Sequence, residues 1–441
     1  MFPNLAIDAV LVIALAGIAI GRIPRLRMNR PGMALAAATF LVVLRALSPA
    51  GAFASIDIGT IALLLAMMLV VANLRMAGFF AVAGGKILAV ARSPRSLLAL
   101  VVAASGILSA FFLNDTICIV FTPLVAEMTR RARRDPLPYL IAVAVSANVG
   151  SEATIIGNPQ NMLIGASSGI PFAEFTTRLG PPALIGLVVV WFVVVLAYRE
   201  EFAAGAPALS TMDATRFDVD KPLIAKSLGA AALMLALLLA GVEPSIAALA
   251  AASVLLVTRR IDPERVFGYV DFGLLVFFAG LFVMTKAIEG RGWYERIVND
   301  ILPRLVGAGG AVATGGAVGA GAVVGAGAAA GMGAGSGGGL PIAALAAFVA
   351  LLSNLVSNVP AVMLFRPLVS RFADPYGVWL VLAMASTFAG NLTLLGSVAN
   401  LIVAEGAKRS GVDISFGRYL RVGLPVTILT IAIGSLWLAL S

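Results

Sequence analysis

The sequence predicts an all-α polytopic membrane protein of two inverted-topology repeats, each with a re-entrant hairpin and a broken transmembrane helix. Three observations carry that prediction. Of 441 residues, 60% are hydrophobic and 12% are charged, about half the charged share of a soluble domain, roughly 25%; much of the apolar surface must therefore face lipid. The 31 Lys and Arg are scattered in short loops between apolar runs, the positive-inside pattern of a multispan chain. Third, polar motifs of the first half recur in the second, in the same order.

Composition also excludes some classes. The net charge of +9 comes from scattered loop residues rather than a basic face, so no nucleic-acid partner is expected. One cysteine, Cys118, and no histidine exclude an intrachain disulfide and a multi-Cys metal cluster. No metal and no cofactor are expected. Proton coupling would have to use carboxylates, Lys or water. Ser146, Asp115 and Glu152 lack a His, Cys cluster or Lys arranged with them, so the chain is not read as an enzyme.

Repeat 1 occupies residues 1–200. Leu5 to Ile20 forms a first span, retained rather than cleaved because no Lys or Arg precedes Arg22. The loop Arg22 to Arg30 holds four Arg, while Ser48 to Asp57 holds no Lys or Arg. The first loop is thus cytoplasmic and the N-terminus outside. After a span near Ile61 to Val71, residues 97–129 read as a hairpin. Two apolar, half-length segments flank Asn114-Asp115, with Arg92 and Arg95 before them and Arg130, Arg131, Arg133 and Arg134 after them. Basic residues at both ends favour entry and exit on one face; the alternative is one long continuous span. Residues 139–165 read as a span broken at SANVGSEATIIGNPQN, where Pro159 ends the hydrogen-bond ladder and Gly150 and Gly157 permit close backbone. Pro182 to Leu196 returns the chain to a polar cytoplasmic connector, 201–222.

Repeat 2 occupies residues 223–441. Spans are expected near Leu223 to Ala240, Pro244 to Val257 and Asp271 to Lys286. Residues 307–339 contain 15 glycines in 33 positions, which order at high entropic cost; they read as a flexible periplasmic insertion, or otherwise as a packed Gly/Ala helix. A second hairpin follows at 340–372, a second broken helix at 376–404, and a last span, Leu424 to Leu440, that leaves the C-terminus outside.

The repeat rests on two gapless overlays. LSAFFLNDTICIVFTPLV, Leu108 to Val125, lies on LSNLVSNVPAVMLFRPLV, Leu352 to Val369, which puts Asn114 on Asn358. TIIGNPQNMLI, Thr154 to Ile164, lies on TLLGSVANLIV, Thr393 to Val403, which puts Gly157 on Gly396 and Asn161 on Asn400. Matched Leu and Val carry little weight in apolar sequence. Matched Asn, Pro and Thr-x-x-Gly-x-x-x-Asn carry much more. Opposed repeats with helices broken at equivalent places bind solute at the repeat interface in many secondary transporters.

A helix broken at membrane depth exposes N–H groups at a positive dipole end and C=O groups at a negative one. Asn, Ser and Thr can complete those hydrogen bonds and contact a polar solute. The candidate binding residues are Asn114, Asp115, Asn148, Ser151, Glu152, Thr154, Asn158, Asn161, Ser357, Asn358, Asn391, Thr393, Ser397 and Asn400. Asp115 and Glu152, the ionisable residues nearest the breaks, are the candidate proton carriers, the alternative being helix capping or pairing with a buried donor. Cys118 could approach a thiophilic solute, but reads more simply as a small buried hydrophobe.

At FFLNDTICIVFTPL, SANVGSEATIIGNPQNMLIG, LVSNVPAVMLF and STFAGNLTLLGSVANLIVAE the chain resembles the arsenical-pump and citrate-transporter-like group of the ion transporter superfamily. The resemblance covers most of the chain apart from the glycine-rich insertion. It implies that Asn114-Asp115 sits at the first hairpin tip and that Asn391, Thr393 and Gly396 fall in the second broken helix. On the arsenical-pump side it implies efflux of neutral arsenite or antimonite in exchange for protons, or in partnership with an arsenite-stimulated ATPase. On the divalent-anion side it implies sodium- or proton-coupled transport of a carboxylate or inorganic oxyanion. There, Ser-Asn-Thr signatures hold carboxylate and sodium, whereas this chain reads Leu113-Asn114-Asp115 and Ser357-Asn358-Val359. The implied location is the cytoplasmic membrane of a bacterium or archaeon.

Overall fold

The computed structural model describes residues 2–23, 28–203, 219–257, 262–296 and 339–441. The expected glycine-rich insertion lies, up to residue 338, outside the described residues. The first part of the chain forms α1 Phe2–Ile20, a two-residue antiparallel ladder Arg22–Ile23 with Met28–Asn29, α2 Arg30–Val43, α3 Pro49–Ala54, α4 Ile58–Met76 and α5 Phe79–Val90. There follow α6 Pro94–Phe111, α7 Asn114–Arg131, α8 Pro136–Ser151, α9 Pro159–Ser168 and α10 Phe172–Ala197. Beyond the connector come α11 Lys221–Leu239, α12 Pro244–Leu256, α13 Pro263–Phe267, α14 Phe272–Gly290 and α15 Trp293–Arg296. The final elements are α16 Gly339–Val356, α17 Asn358–Phe365, a 3-10 turn Arg366–Arg371, α18 Pro375–Ala389, α19 Val398–Arg409 and α20 Phe416–Leu440.

This is the predicted class: an all-α polytopic chain of two inverted-topology repeats, each with a hairpin and a broken helix. Among the described residues six helices, α4, α6, α10, α11, α14 and α20, are long and apolar enough to cross a membrane. The first hairpin is a true break, with Phe112 and Leu113 between α6 and α7, which overturns the single long span. Its arms are longer than half-length, 18 residues each, or about 27 Å. Pro123 sits inside α7 without ending it.

One boundary departs from the sequence reading. The span expected to begin at Pro182 begins at Phe172, nearly three turns earlier, because Pro181 and Pro182 lie inside α10; neighbouring helices and local adjustment tolerate such prolines in membrane helices.

The chain divides into two compact units. The first comprises Met1–Ile61, Phe272–Ser386 and Ser435–Ser441. In it α2 packs on α14 at close range: a Cβ on Gly280 would sit 2.7 Å from the Ala34 carbonyl carbon, the approach that small residues permit between membrane helices. Arg291 clamps Asp8 through two hydrogen bonds, 2.9 and 2.8 Å. The second hairpin, α16 and α17, turns on one residue, Ser357, at φ 77 and ψ 158. That conformation is ordinarily reserved for glycine and costs on the order of 1–3 kcal/mol.

The second unit comprises Ala62–Asp271 and Thr387–Gly434. Its centre is α8, every residue of which from Leu137 to Ser151 is buried, packed by α6, α7, α10 and α19. Gly150 lies against the backbone of Gly106, so α6 and α8 touch main chain to main chain. Gly186 of α10 and Gly406 of α19 make similar room for Val149 and Thr122. The start of the connector is anchored here: Arg95 donates to the Phe202 carbonyl at 2.9 Å and the Tyr139 hydroxyl to Glu201 at 3.1 Å. Burial pushes the Glu201 carboxyl up, with Tyr139 and Arg134 pulling it back.

Candidate functional site

Both helix breaks end in a side-chain cap. At the first, Asn158 caps α9, its Oδ1 accepting the Asn161 N–H at 2.8 Å, and Pro159 starts the helix where its missing N–H costs nothing. At the second, Ser397 caps α19 by accepting the Ala399 N–H at 3.3 Å. The carbonyls freed between the half-helices are gathered by one asparagine in each repeat. Asn161 Nδ2 donates to the carbonyls of Ser151, Glu152 and Thr154 at 3.3, 3.4 and 3.2 Å. Asn400 Nδ2 donates to those of Gly390 and Thr393 at 2.7 and 3.0 Å.

The offset that lays Asn161 on Asn400 also lays Ser151 on Gly390 and Thr154 on Thr393. The two asparagines therefore tie the same two positions of their breaks. Buried carbonyls would otherwise lack partners, which is why the Thr-x-x-Gly-x-x-x-Asn pattern appears twice. Gly157 is confined by the same turn: a Cβ there would run into the Ser151 carbonyl oxygen.

Asn148, on the first broken helix, is the hub of one network. Its Oδ1 accepts from Asn114 Nδ2 at 3.0 Å and from the Ser397 hydroxyl at 3.2 Å. Its Nδ2 donates to Asn391 Oδ1 at 3.0 Å and to Asn400 Oδ1 at 2.9 Å. Five predicted residues thus meet, and all are buried. A second network surrounds Thr387, which the sequence reading missed. Its Oγ1 accepts from Asn158 Nδ2 at 3.2 Å and Gln160 Nε2 at 3.3 Å, and donates to Asn161 Oδ1 at 3.4 Å. Ser151 joins it, its Oγ accepting from Asn158 Nδ2 at 3.0 Å.

Glu152 lies beside this second network, fully buried. Thr387 and Asn161 are the side chains that bear on its carboxylate, but neither carboxylate oxygen is in hydrogen-bonding geometry. Asn391 Nδ2, in the first network, is likewise buried without a hydrogen-bond partner. The two groups best placed to bind something further are therefore a carboxylate and an amide N–H.

The other predicted residues fall around these networks. The Thr154 hydroxyl donates to the Ala110 carbonyl and the Asn114 N–H to the Gly157 carbonyl at 3.0 Å, docking the first hairpin tip onto the first break. Thr393 is half-buried and supplies its carbonyl to Asn400. Asp115 is half-buried in the first turn of α7, its N–H donating to Asn114 Oδ1. Ser357 and Asn358 lie in the first unit, where the Ser353 hydroxyl donates to Asn358 Oδ1 at 2.6 Å. Cys118 is buried and free of disulfide bonding. Among the described residues no three His, Cys, Asp or Glu side chains gather as metal ligands would. The chemistry available is neutral donors and acceptors with one fully buried carboxylate, Glu152.

Comparison with known proteins places this architecture. The profile of a family described as citrate transporter matches residues 11–374. The silicon efflux transporter LSI3 of Oryza sativa subsp. japonica is 30% identical, over 93% of each chain. An uncharacterised transporter of Mycobacterium bovis is 29% identical, over 93% of this chain and 94% of its own. A putative transporter, arsB, of Dictyostelium discoideum is 25% identical, over 93% and 87%. In fold, the chain is similar to the YdaH transporter of Alcanivorax borkumensis, whose crystal structure has an unusual topology: TM-score 0.55, 14% identity, 99% and 97% coverage.

Proposed function

The chain belongs to the citrate transporter family and is a membrane transporter, and from that premise we propose that it exports a small neutral metalloid hydroxide, arsenite or antimonite, in exchange for protons. What supports this reading is the charge of the buried polar set. Among the buried polar residues of the described chain, Glu152 is the one Asp, Glu, Lys or Arg, and the rest are Asn, Gln, Ser and Thr. A carboxylate solute such as citrate brings several negative charges into that setting. Moving a charge out of water without a partner is costly, and the buried carboxylate adds repulsion. A neutral hydroxide needs only donors and acceptors, which the breaks supply.

The relatives agree in kind. The rice protein is named for silicon efflux and the Dictyostelium protein arsB. Under this reading Glu152 carries the proton, with Asp115 as a second carboxylate on the path. Both termini lie outside a cytoplasmic membrane, and an arsenite-stimulated ATPase is a possible partner in place of the proton gradient. The competing reading is sodium- or proton-coupled movement of a carboxylate or oxyanion.

The test is uptake into everted membrane vesicles of arsenite, antimonite, silicic acid, citrate, succinate and sulfate, each against imposed pH and sodium gradients. Saturable arsenite or antimonite uptake that falls at least about tenfold when the pH gradient is collapsed is the expected result. Uptake of citrate or succinate driven by sodium, with no metalloid uptake, would replace this reading by the competing one.

A further inference from the structure

The two networks are copies of one another. The offset that relates the two breaks lays Asn148 on Thr387, Ser397 on Asn158, Asn400 on Asn161, and Asn391 on Glu152. Asn148, from repeat 1, contacts Ser397, Asn400 and Asn391 of repeat 2. Thr387, from repeat 2, contacts Asn158 and Asn161 of repeat 1. The third contact of that clasp, corresponding to Asn148 with Asn391, would join Thr387 to Glu152. In the first clasp the bond is made at 3.0 Å. In the second Thr387 bears on the carboxylate, yet both carboxylate oxygens lack a hydrogen bond.

We infer that Thr387 is the positioning residue that couples protonation of Glu152 to the contact between the repeats. The inference rests on the proposed proton role of Glu152. A threonine hydroxyl has one proton to donate. In this structure it goes to Asn161 Oδ1 over 3.4 Å, a long bond near the limit of useful geometry. An ionised carboxylate is a stronger acceptor than an amide oxygen, so ionised Glu152 draws the hydroxyl to itself and completes the copy of the Asn148–Asn391 contact. Protonated Glu152 releases it to Asn161. The proton on Glu152 thus selects whether the Thr387 hydroxyl donates to the end of α8 or to Asn161 of α9, while the bonds Thr387 accepts from Asn158 and Gln160 are kept in both states.

Among the described residues, the groups that bear on Glu152 include no charged side chain. Glu152 terminates α8, against which α6, α7, α10 and α19 pack. Their titratable residues are Arg95 on α6; Asp115, Cys118, Glu127, Arg130 and Arg131 on α7; Glu174 and Arg178 on α10; and Glu405, Lys408 and Arg409 on α19. None of them is among the groups that bear on Glu152, which are Thr387 and Asn161.

The test compares wild type, Thr387→Val, Thr387→Ser and Glu152→Gln, reading two quantities against pH: arsenite uptake into everted vesicles, and carbodiimide labelling of Glu152 located by mass spectrometry. Carbodiimide reads the protonated carboxyl without requiring transport. Thr387→Val removes a donor that favours the ionised form, so both profiles should move to higher pH by roughly one unit, while Thr387→Ser keeps the wild-type midpoint. Midpoints for Thr387→Val within about 0.2 unit of wild type, with the Glu152→Gln uptake profile flattened, overturn the Thr387 inference alone. An unchanged uptake profile in Glu152→Gln overturns the proton role beneath it. Should the valine protein fail to accumulate, labelling of Thr387→Ala decides: a midpoint raised by roughly one unit supports the role of the hydroxyl, and a wild-type midpoint overturns it.

Discussion

Asn148→Ala will destabilise the protein by on the order of 4 kcal/mol or more and remove transport. The alanine leaves four buried groups without their present partner: Asn114 Nδ2, the Ser397 hydroxyl, Asn391 Oδ1 and Asn400 Oδ1. Each buried group stranded in this way costs about 1–3 kcal/mol. Relaxation will recover part of the sum. Asn148→Asp is expected to be at least as damaging. It keeps the acceptor used by Asn114 and Ser397, but it loses both donated bonds and turns a carboxylate oxygen toward two amide oxygens. Thermal unfolding of the purified protein in detergent, followed beside vesicle transport, checks both variants. A midpoint within about 2 °C of wild type would show that Asn148 does not hold the network together.

Gly150→Ala will fail more sharply than its chemistry suggests. The added methyl has to occupy the position of the Gly106 main chain, and carbonyl oxygen, carbonyl carbon and Cα are all in the way. A side chain can change rotamer; a helix backbone in a packed membrane bundle cannot. Helices α6 and α8 must separate, which also displaces the hydrogen bond between the Ser105 and Ser146 hydroxyls at 2.6 Å. The expected cost exceeds about 3 kcal/mol, the upper end of ordinary overpacking. Gly229→Ala, inside α11, supplies the contrast, since the methyl there meets nothing within 4 Å. Fluorescence-detected size exclusion of the two variants should show little folded Gly150→Ala protein and near-normal Gly229→Ala. Equal recovery of both would contradict the close main-chain contact.

The parts of this molecule legible in the sequence were those that break a pattern. Asn114-Asp115 and the SANVGSEATIIGNPQN stretch are polar interruptions in apolar runs, and their recurrence near Asn358 and at Gly390 to Asn400 located all four breaks. The full extent of α10 was less visible, because Pro181 and Pro182 look like a helix start. Thr387 was invisible for a different reason. It lies within an apolar run, VLAMASTFAG, where Ser and Thr ordinarily satisfy themselves on the preceding turn. One signal could have found it: extending the Thr154–Thr393 overlay back six positions puts Thr387 on Asn148. Sequence alone also weighed Asp115 and Glu152 alike. Burial separates them, with Asp115 half-buried and Glu152 wholly enclosed beside the second clasp. Pairing between side chains more than 200 positions apart, as in Asn148 with Asn391, follows from packing rather than from local pattern.

The central claim is that a neutral metalloid hydroxide leaves through these breaks in exchange for a proton. Purified protein in liposomes, with arsenite as the only imposed gradient and a pH-sensitive dye sealed inside, tests it most directly. Adding arsenite outside is expected to drive counter-movement of protons through wild-type protein, and Glu152→Gln to abolish it. Arsenite uptake at the wild-type rate with no accompanying change in internal pH would contradict it.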